Sequence, residues 1–169
     1  MADPKRVYWD ACTWLSLINE ETGRVDCCRY VIAEARAGNV EIWTSAFTLA
    51  EVFKKNCEGK AMTLAESKDI EFENYIEQEF LVVVQVDYDI GVLARRLLRI
   101  HPKLKKPSDA IHIATAVLHN LDEFQTYDEE NLLPLSGVVQ RQDGSRLIIC
   151  KPPEDPNPEL FASTPTSLS

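Results

Sequence analysis

The chain has 169 residues, which is long enough for one domain with a buried core. It is 45% hydrophobic and 27% charged, and it contains neither an apolar stretch long enough to span a membrane nor a secretory signal. The net charge of −9 argues against a general nucleic-acid binder, because neutralising phosphates requires Lys and Arg.

The cysteines indicate a reducing compartment. The chain has five of them, an odd number, and no Cys-x-x-Cys pair, so neither a disulfide framework nor a zinc site is expected. A cytoplasmic location fits this composition best.

The first half of the chain is predicted to alternate strands with helices. Gly38 and Asn39 supply a helix stop, and Ser45 is a good N-cap for a helix that carries Glu51 in its second turn. The predicted elements before Ser45 are a strand over residues 6–9, helices over 13–18 and 25–37, and a strand over 40–44.

The second half continues the alternation. Residues 80–86 form the clearest strand, apolar almost throughout, as in a parallel sheet covered on both faces. Asp87 or Asp89 can cap the following helix, and Ser108 is expected to cap the next one. The other predicted elements are a helix over residues 64–79 and strands over 123–126 and 147–150.

This alternation predicts an α/β sandwich around a mainly parallel sheet. Residues 1–150 are expected to form the domain. Residues 151–169 contain five prolines and little to bury, which predicts a loosely held or flexible tail.

Four acidic residues lie at the ends of separate predicted elements. Parallel α/β sheets bind ligands at the carboxyl ends of their strands, so these side chains can meet in one cleft. Clustered carboxylates repel one another and need a compensating cation, for which Mg²⁺ or Mn²⁺ are natural candidates. Each acid alone also has an ordinary structural explanation as a helix cap, a surface ion pair or a turn residue. The four are Asp10, Glu51, Asp109 and Asp128.

A basic stretch leads up to the third of these acids. No acidic residue lies between Asp89 and Asp109, and the interval contains six of the eighteen basic residues. Such a strip beside an acidic cleft would suit a metal nuclease, although a solvated helix face explains it equally well. The six are Arg95, Arg96, Arg99, Lys103, Lys105 and Lys106.

The four acidic motifs together resemble those of the PIN-domain family, particularly the small VapC-like bacterial ribonucleases. The resemblance covers residues 6–150: the strand ending at Asp10, then Ser45-Ala46-Phe47-Thr48-Leu49-Ala50-Glu51-Val52, Ser108-Asp109-Ala110-Ile111-His112-Ile113-Ala114-Thr115-Ala116, and Thr126-Tyr127-Asp128. It implies a three-layer α/β/α sandwich with about five strands. The chain departs from the family after the first acid, where Cys12 and Thr13 replace the usual Ser, Thr or Asn two residues on.

The resemblance also implies metal-dependent hydrolysis of RNA phosphodiester bonds. Asp10 and Asp109 would bind Mg²⁺ or Mn²⁺, Asp128 would bind it directly or through water, and Glu51 would orient or deprotonate the attacking water. Thr13 would supply a hydroxyl to the substrate, and the basic strip would hold flanking phosphates.

Several alternatives remain open on the sequence. A PIN-like scaffold that binds RNA or a protein without cutting is the main rival, and retention of all four acids disfavours it. An antitoxin partner and a homodimer are implied by the resemblance alone. His112 is expected to be a satisfied core histidine, and Glu129 and Glu130 exposed loop residues.

Overall fold

Strands and helices alternate along the chain in the computed structural model, which describes residues 2–55 and 62–158. The strands are β1 (Lys5–Trp9), β2 (Val40–Ser45), β3 (Leu81–Val84), β4 (Glu123–Gln125) and β5 (Ile148–Cys150). They form one sheet in the order β3-β2-β1-β4-β5, and each neighbouring pair is parallel. The predicted parallel, five-stranded sheet is confirmed.

Helices cover both faces of the sheet, as the three-layer prediction requires. Val7 and Trp9 point into a core on one face and Tyr8 into a core on the other, because successive side chains of a strand alternate. The helices are α1 (Ala11–Ile18), α2 (Val25–Arg36), α3 (Ala46–Glu51), α4 (Glu66–Ile76), α5 (Tyr88–Ile100), α6 (Pro107–Leu118) and a 3₁₀ helix, Leu133–Leu135. The first core contains residues of α1, α2 and α4, and the second contains residues of α5 and α6.

The helix starts agree with the sequence in two of three cases. Asp87 caps α5, where its Oδ1 accepts a hydrogen bond from Ile90 N at 3.0 Å, and Ser45 caps α3. The prediction that Ser108 caps α6 is wrong. The helix begins two residues earlier than that cap implies, at Pro107, whose fixed φ suits the first helical position and which needs no donor there.

Residues 151–158 follow β5 and contact the domain. Pro152 is buried, and Lys151 Nζ donates to Glu129 Oε1. Residues 159–169 and Cys57 lie outside the described residues, so the flexible tail and the boundary at residue 150 stay predictions. Across residues 2–55 and 62–158, every helix falls short of the length and apolarity needed to cross a membrane.

Candidate active site

Asp10 lies at the carboxyl end of the central strand. It directly follows β1 and caps α1, where its Oδ1 accepts a hydrogen bond from Thr13 N at 3.0 Å. The parallel register pairs Trp9 with Gln125, so Asp10 and Thr126 are the next neighbours across β1 and β4. Thr126 Oγ1 accordingly donates to Asp10 Oδ2 at 2.6 Å. The local structure therefore fixes both oxygens of this carboxyl group.

The environment of Asp10 disfavours its negative charge. The residue is buried, and this burial raises the pKa of the carboxyl group above its ordinary value. Hydrogen bonds from Thr126 and Thr13 act in the opposite direction, because they stabilise the carboxylate.

Thr13 lies beside Asp10 and outside the cleft lining, so its contact with the substrate stays a prediction. Its side chain is fully buried, and its Oγ1 lies 3.1 Å from Asp10 Oδ1 and 2.9 Å from the backbone oxygen of Gln125. The residue occupies the third position after the cap, where its hydroxyl is directed back to the capping side chain. Thr13 thus holds Asp10 in place.

Glu51 is delivered by a helix that starts directly from β2. Ser45 ends β2, and its Oγ accepts a hydrogen bond from Phe47 N at 3.1 Å. The short helix α3 ends at Glu51, whose Oε2 lies 2.7 Å from His112 Nε2. The side chain of Glu51 remains 26% exposed, so it lies at the border between the core and the cleft.

Asp109 lies in the first turn of α6 and carries an unsatisfied oxygen. Its Oδ2 is buried and has no hydrogen-bond partner in the described part of the chain. Burial raises the pKa of Asp109 to about 6; Lys106 opposes this rise, whereas Asp128 and Asp10 add to it. A buried carboxylate oxygen without a partner is costly, so this position favours a cation.

Asp128 lies in the turn that follows β4. Its Oδ1 accepts hydrogen bonds from the backbone N–H groups of Glu130 and Asn131, at 3.1 and 2.8 Å, and from Asn131 Nδ2 at 3.1 Å. These contacts fix the half-buried carboxylate at the rim of the cleft. Glu129 and Glu130 are exposed, in agreement with the sequence-based expectation.

One cleft of about 250 Å³ contains all four acids. They come from the end of β1, the end of α3, the first turn of α6 and the turn after β4. The structure thus brings together side chains that are up to 118 residues apart (from Asp10 to Asp128), whereas their chemical roles stay predictions. The residues that line the cleft are Asp10, Ala11, Cys12, Leu15, Glu51, Lys54, Lys106, Ser108, Asp109, His112 and Asp128.

Of the six residues of the predicted basic strip, only Lys106 lines the cleft. Lys54, three residues after Glu51 and beyond the end of α3, supplies a second positive charge there. The sequence places Lys54 on the same side as Glu51 but gave no reason to assign it a role, because a lysine beside a glutamate usually forms a surface ion pair. The other five strip residues are exposed and outside the lining: Arg95, Arg96, Arg99, Lys103 and Lys105.

His112 is the site residue that sequence reasoning did not assign. It is buried and hydrogen-bonded on both ring nitrogens, which agrees with the expectation of a satisfied core histidine. One of its partners is Glu51, and the ring also lines the cleft. The spacing of three residues from Asp109 places both side chains on one helix face, which was the available signal.

A divalent cation fits this set of donors. In residues 2–55 and 62–158, no three His, Cys, Asp or Glu side chains are already arranged to hold a metal ion. Mg²⁺, however, is usually bound through only one or two carboxylates and keeps several waters. Asp10 and Asp109 raise each other's cost of ionisation, and the unsatisfied Oδ2 of Asp109 supplies a ligand atom. Asp10 and Asp109 are therefore the candidate ligands of a hard cation.

Solved structures of bacterial toxins share this fold. The VapC20 toxin of Mycobacterium tuberculosis, described as cleaving the sarcin–ricin loop, is 16% identical, with a TM-score of 0.57 over 72% of this chain and 89% of that one. A toxin–antitoxin complex from Klebsiella pneumoniae is 18% identical, with a TM-score of 0.55 and coverage of 88% and 99%. VapBC2 from Rickettsia felis, bound to a DNA fragment from its promoter, is 13% identical, with a TM-score of 0.56 and coverage of 85% and 96%. At these identities the likeness establishes the fold.

The family is established by the sequence match. No curated protein sequence matches the chain significantly. A model of the PIN domain matches residues 7–133, which run from β1 to the start of the 3₁₀ helix and include all four acids of the cleft. The match spans most of the chain, and the parallel sheet has the expected architecture. The chain belongs to the PIN-domain family.

Proposed function

We propose that the chain is a metal-dependent endoribonuclease and that the cleft around Asp10, Glu51, Asp109 and Asp128 is its active site. The observation that carries this proposal is the unsatisfied, buried Oδ2 of Asp109 in a cleft that also contains two other aspartates. A binding module has no need for a carboxyl group whose pKa is raised by burial and, to a smaller degree, by two neighbouring aspartates.

Asp10 and Asp109 would hold the cation, which we take to be Mg²⁺ or Mn²⁺. Asp128 would act through a water molecule, because its Oδ1 already accepts hydrogen bonds from Glu130 and Asn131. A cation bound there would neutralise charge on the scissile phosphate and lower the pKa of nearby water.

Glu51 would orient and deprotonate the attacking water. One of its oxygens, Oε2, is engaged by His112, which leaves Oε1 for the water. The water oxygen would attack phosphorus in line with the bond to the 3′ oxygen, and Glu51 would take the proton. The bond to the 3′ oxygen would break, and that oxygen would gain a proton from solvent, which leaves a 5′-phosphate and a 3′-hydroxyl.

Lys54 and Lys106 would hold the phosphates of the substrate next to the acids. Both line the cleft, and a cation beside an acidic site draws a polyanion toward it despite the net charge of −9. The exposed basic residues of α5 and of the following loop would contact phosphates farther along the strand.

RNA, an antitoxin and a second copy of the chain are the partners we propose. The structural relatives include a toxin–antitoxin complex and a toxin that cleaves the sarcin–ricin loop, which supports this choice. A cytoplasmic location is consistent with Cys27, Cys28 and Cys150, whose thiols are outside any disulfide.

Cleavage of labelled RNA by the purified protein tests the proposal. We expect cleavage with Mg²⁺ or Mn²⁺ and none with EDTA, and a loss of at least about 100-fold in Asp10→Asn and Asp109→Asn. Asp69→Asn is the matched control, because Asp69 is an exposed aspartate in the first turn of α4. Cleavage that survives both cleft substitutions would contradict the proposal. RNA binding without cleavage would support the scaffold function instead.

A further inference from the structure

His112 connects the core of the protein to the acidic cleft. Its Nδ1 lies 2.6 Å from the hydroxyl of Tyr8, and its Nε2 lies 2.7 Å from Glu51 Oε2. Tyr8 lies on β1, Glu51 on α3 and His112 on α6. Asp10 directly follows β1 and Asp109 lies on α6, so the same elements also position these two acids. The histidine is 2% exposed; its contact with Tyr8 is buried, and its contact with Glu51 is partly buried at the cleft.

The two partners determine which ring nitrogen carries the proton. An ionised carboxylate only accepts hydrogen bonds, so the short contact with Glu51 requires a proton on Nε2. Tyr8 is fully buried, and a tyrosine hydroxyl ordinarily carries its proton at neutral pH, so it can donate. Its O–H therefore donates to Nδ1, which in the neutral ring is left as an acceptor.

Packing adds to this constraint. The ring of Tyr8 has its centroid 5.7 Å from that of His112, and Phe47 lies edge-on to His112 at 5.9 Å. Phe47 belongs to the same short helix as Glu51. The imidazole is thus held between a strand and a helix and has little freedom to rotate away from the carboxylate.

We propose that His112 is a positioning residue: its Nε2–H fixes the Glu51 carboxylate at the cleft, and Tyr8 fixes the ring form that does so. This proposal rests on the role of Glu51 in the proposed ribonuclease. The need for such a support follows from the location of Glu51 at the end of a helix only six residues long. A partly exposed side chain at a helix end otherwise samples many rotamers, which lowers the population of the reactive arrangement.

A double-mutant cycle on RNA cleavage tests this inference. We expect His112→Leu to lower kcat by about 10–100-fold with little change in KM, as for other residues that orient a functional side chain. His112→Gln should retain more activity, because its amide can still donate to Glu51. In a Glu51→Gln background, His112→Leu should cause no further loss, since the residue it positions is no longer functional.

A loss of activity caused by a less stable fold must be distinguished from one caused by a misplaced Glu51 side chain. His112→Leu alone removes the nitrogen that accepts from the Tyr8 hydroxyl, whereas Tyr8→Phe combined with His112→Leu removes both polar groups and should restore the free energy of unfolding. The double variant is still expected to have the low kcat of His112→Leu. His119→Gln is the matched control, because His119 follows α6 and its ring lies against Trp43, away from the cleft lining.

The form of the imidazole ring provides a readout that is independent of cleavage. In ¹⁵N NMR spectra of the wild type, we expect the proton on Nε2 of His112, and we expect Tyr8→Phe to shift protons toward Nδ1. A proton on Nδ1 in the wild type would overturn the inference, as would equal losses from His112→Leu with and without Glu51. If the wild type does not cleave RNA, the ribonuclease proposal fails, and the NMR result alone decides whether His112 holds Glu51.

Discussion

Asp10 and Asp109 are the two acids nearest to the proposed cation, and their surroundings differ. Both oxygens of Asp10 accept hydrogen bonds from threonines, whereas Oδ2 of Asp109 has no partner in the described part of the chain. Asp10 is therefore held in position by the protein itself, and Asp109 is the acid whose charge most needs a ligand.

Asp109→Asn is expected to stabilise the metal-free protein. Between the ordinary pKa of an aspartate and the value of about 6 in the folded state, the native protein binds the extra proton, so the free energy of unfolding falls as pH rises through this window. Such a rise corresponds to at most about 3 kcal/mol, and water in the cleft reduces it. We expect Asp109→Asn to gain about 1–2 kcal/mol at about pH 7.5 and nothing at about pH 4.

Urea unfolding in EDTA at both pH values measures this difference. Asp69→Asn, the exposed control in the first turn of α4, should lose a few tenths of a kcal/mol or nothing. A less stable Asp109→Asn at the higher pH would show that Asp109 is already satisfied without a cation.

Thr126→Val is expected to destabilise the protein by about 1–3 kcal/mol, because it removes the donor to a buried carboxylate oxygen. Thr115→Val is the matched control. Thr115 is equally buried, but its hydroxyl donates to the carbonyl of Ile111 in the same helix, where the loss costs less. Urea unfolding of both variants compares the two costs, and equal values would contradict a special role of Thr126 in holding Asp10.

At the scale of single residues, the sequence identified the four acids but not the side chains that hold them in place. Asp10 and Asp128 are recognisable because they follow strands, and that position is local information. Thr13 and His112 acquire their roles from partners on other elements, Gln125 and Glu51, so their neighbours in the sequence carry no signal of those contacts.

At the scale of elements, the helix caps show which features can be predicted from neighbouring residues in the sequence and which cannot. The caps of α3 and α5 were predictable, since Ser45 and Asp87 each bond to a backbone N–H within three residues. The start of α6 was misplaced by two residues because Pro107 at the first helical position and Ser108 at the cap are both acceptable near a helix start, and the loop before them decides between them. The strand β3 is also shorter than the apolar run 80–86 that predicted it.

The contribution of α5 to RNA binding is the main expectation at this scale. Lys54→Gln and Lys106→Gln should each weaken the binding of a short RNA and lower the slope of log K against log salt by about 0.7. Replacing the three arginines of α5 together by glutamine should have a smaller effect on such an RNA, because they lie outside the cleft lining. The three arginines are Arg95, Arg96 and Arg99.

Fluorescence anisotropy with a Glu51→Gln background, in which cleavage should be too slow to deplete the RNA during a binding measurement, measures these affinities. A larger effect of the α5 arginines than of the two lysines would place the main phosphate contacts on α5 and revise the cleft assignment.

For the whole molecule, binding of a divalent cation should raise the melting temperature. At a concentration about 100-fold above its dissociation constant, the cation stabilises the native state by about 2.7 kcal/mol, or roughly 5–10 °C for a chain of this size. The effect should be absent from Asp10→Asn/Asp109→Asn, which removes the two proposed ligands. Scanning calorimetry with and without Mn²⁺, at matched ionic strength, makes this comparison, and an equal rise in the double variant would contradict the assignment.

The order of the strands was beyond sequence reasoning. Alternation predicted a parallel sheet, but any of several orders satisfies it, and β1 pairs with β4 across more than a hundred residues. The membership of the two cores follows from that order, with Val7 and Trp9 on one face and Tyr8 on the other. Only the folded sheet places the hydroxyl of Tyr8 beside His112.

The pairing of β1 with β4 also affects the synthesis of the protein. The bond from Thr126 to Asp10 joins residues 116 positions apart, so 116 further residues must be translated after Asp10 before its partner exists. Until then the edge of β1 that faces β4 has no neighbour, and the turn that carries Asp128 has not been made. An RNA-cutting activity built in this way would begin only after the ribosome, itself made of RNA, has translated the chain beyond Asp128.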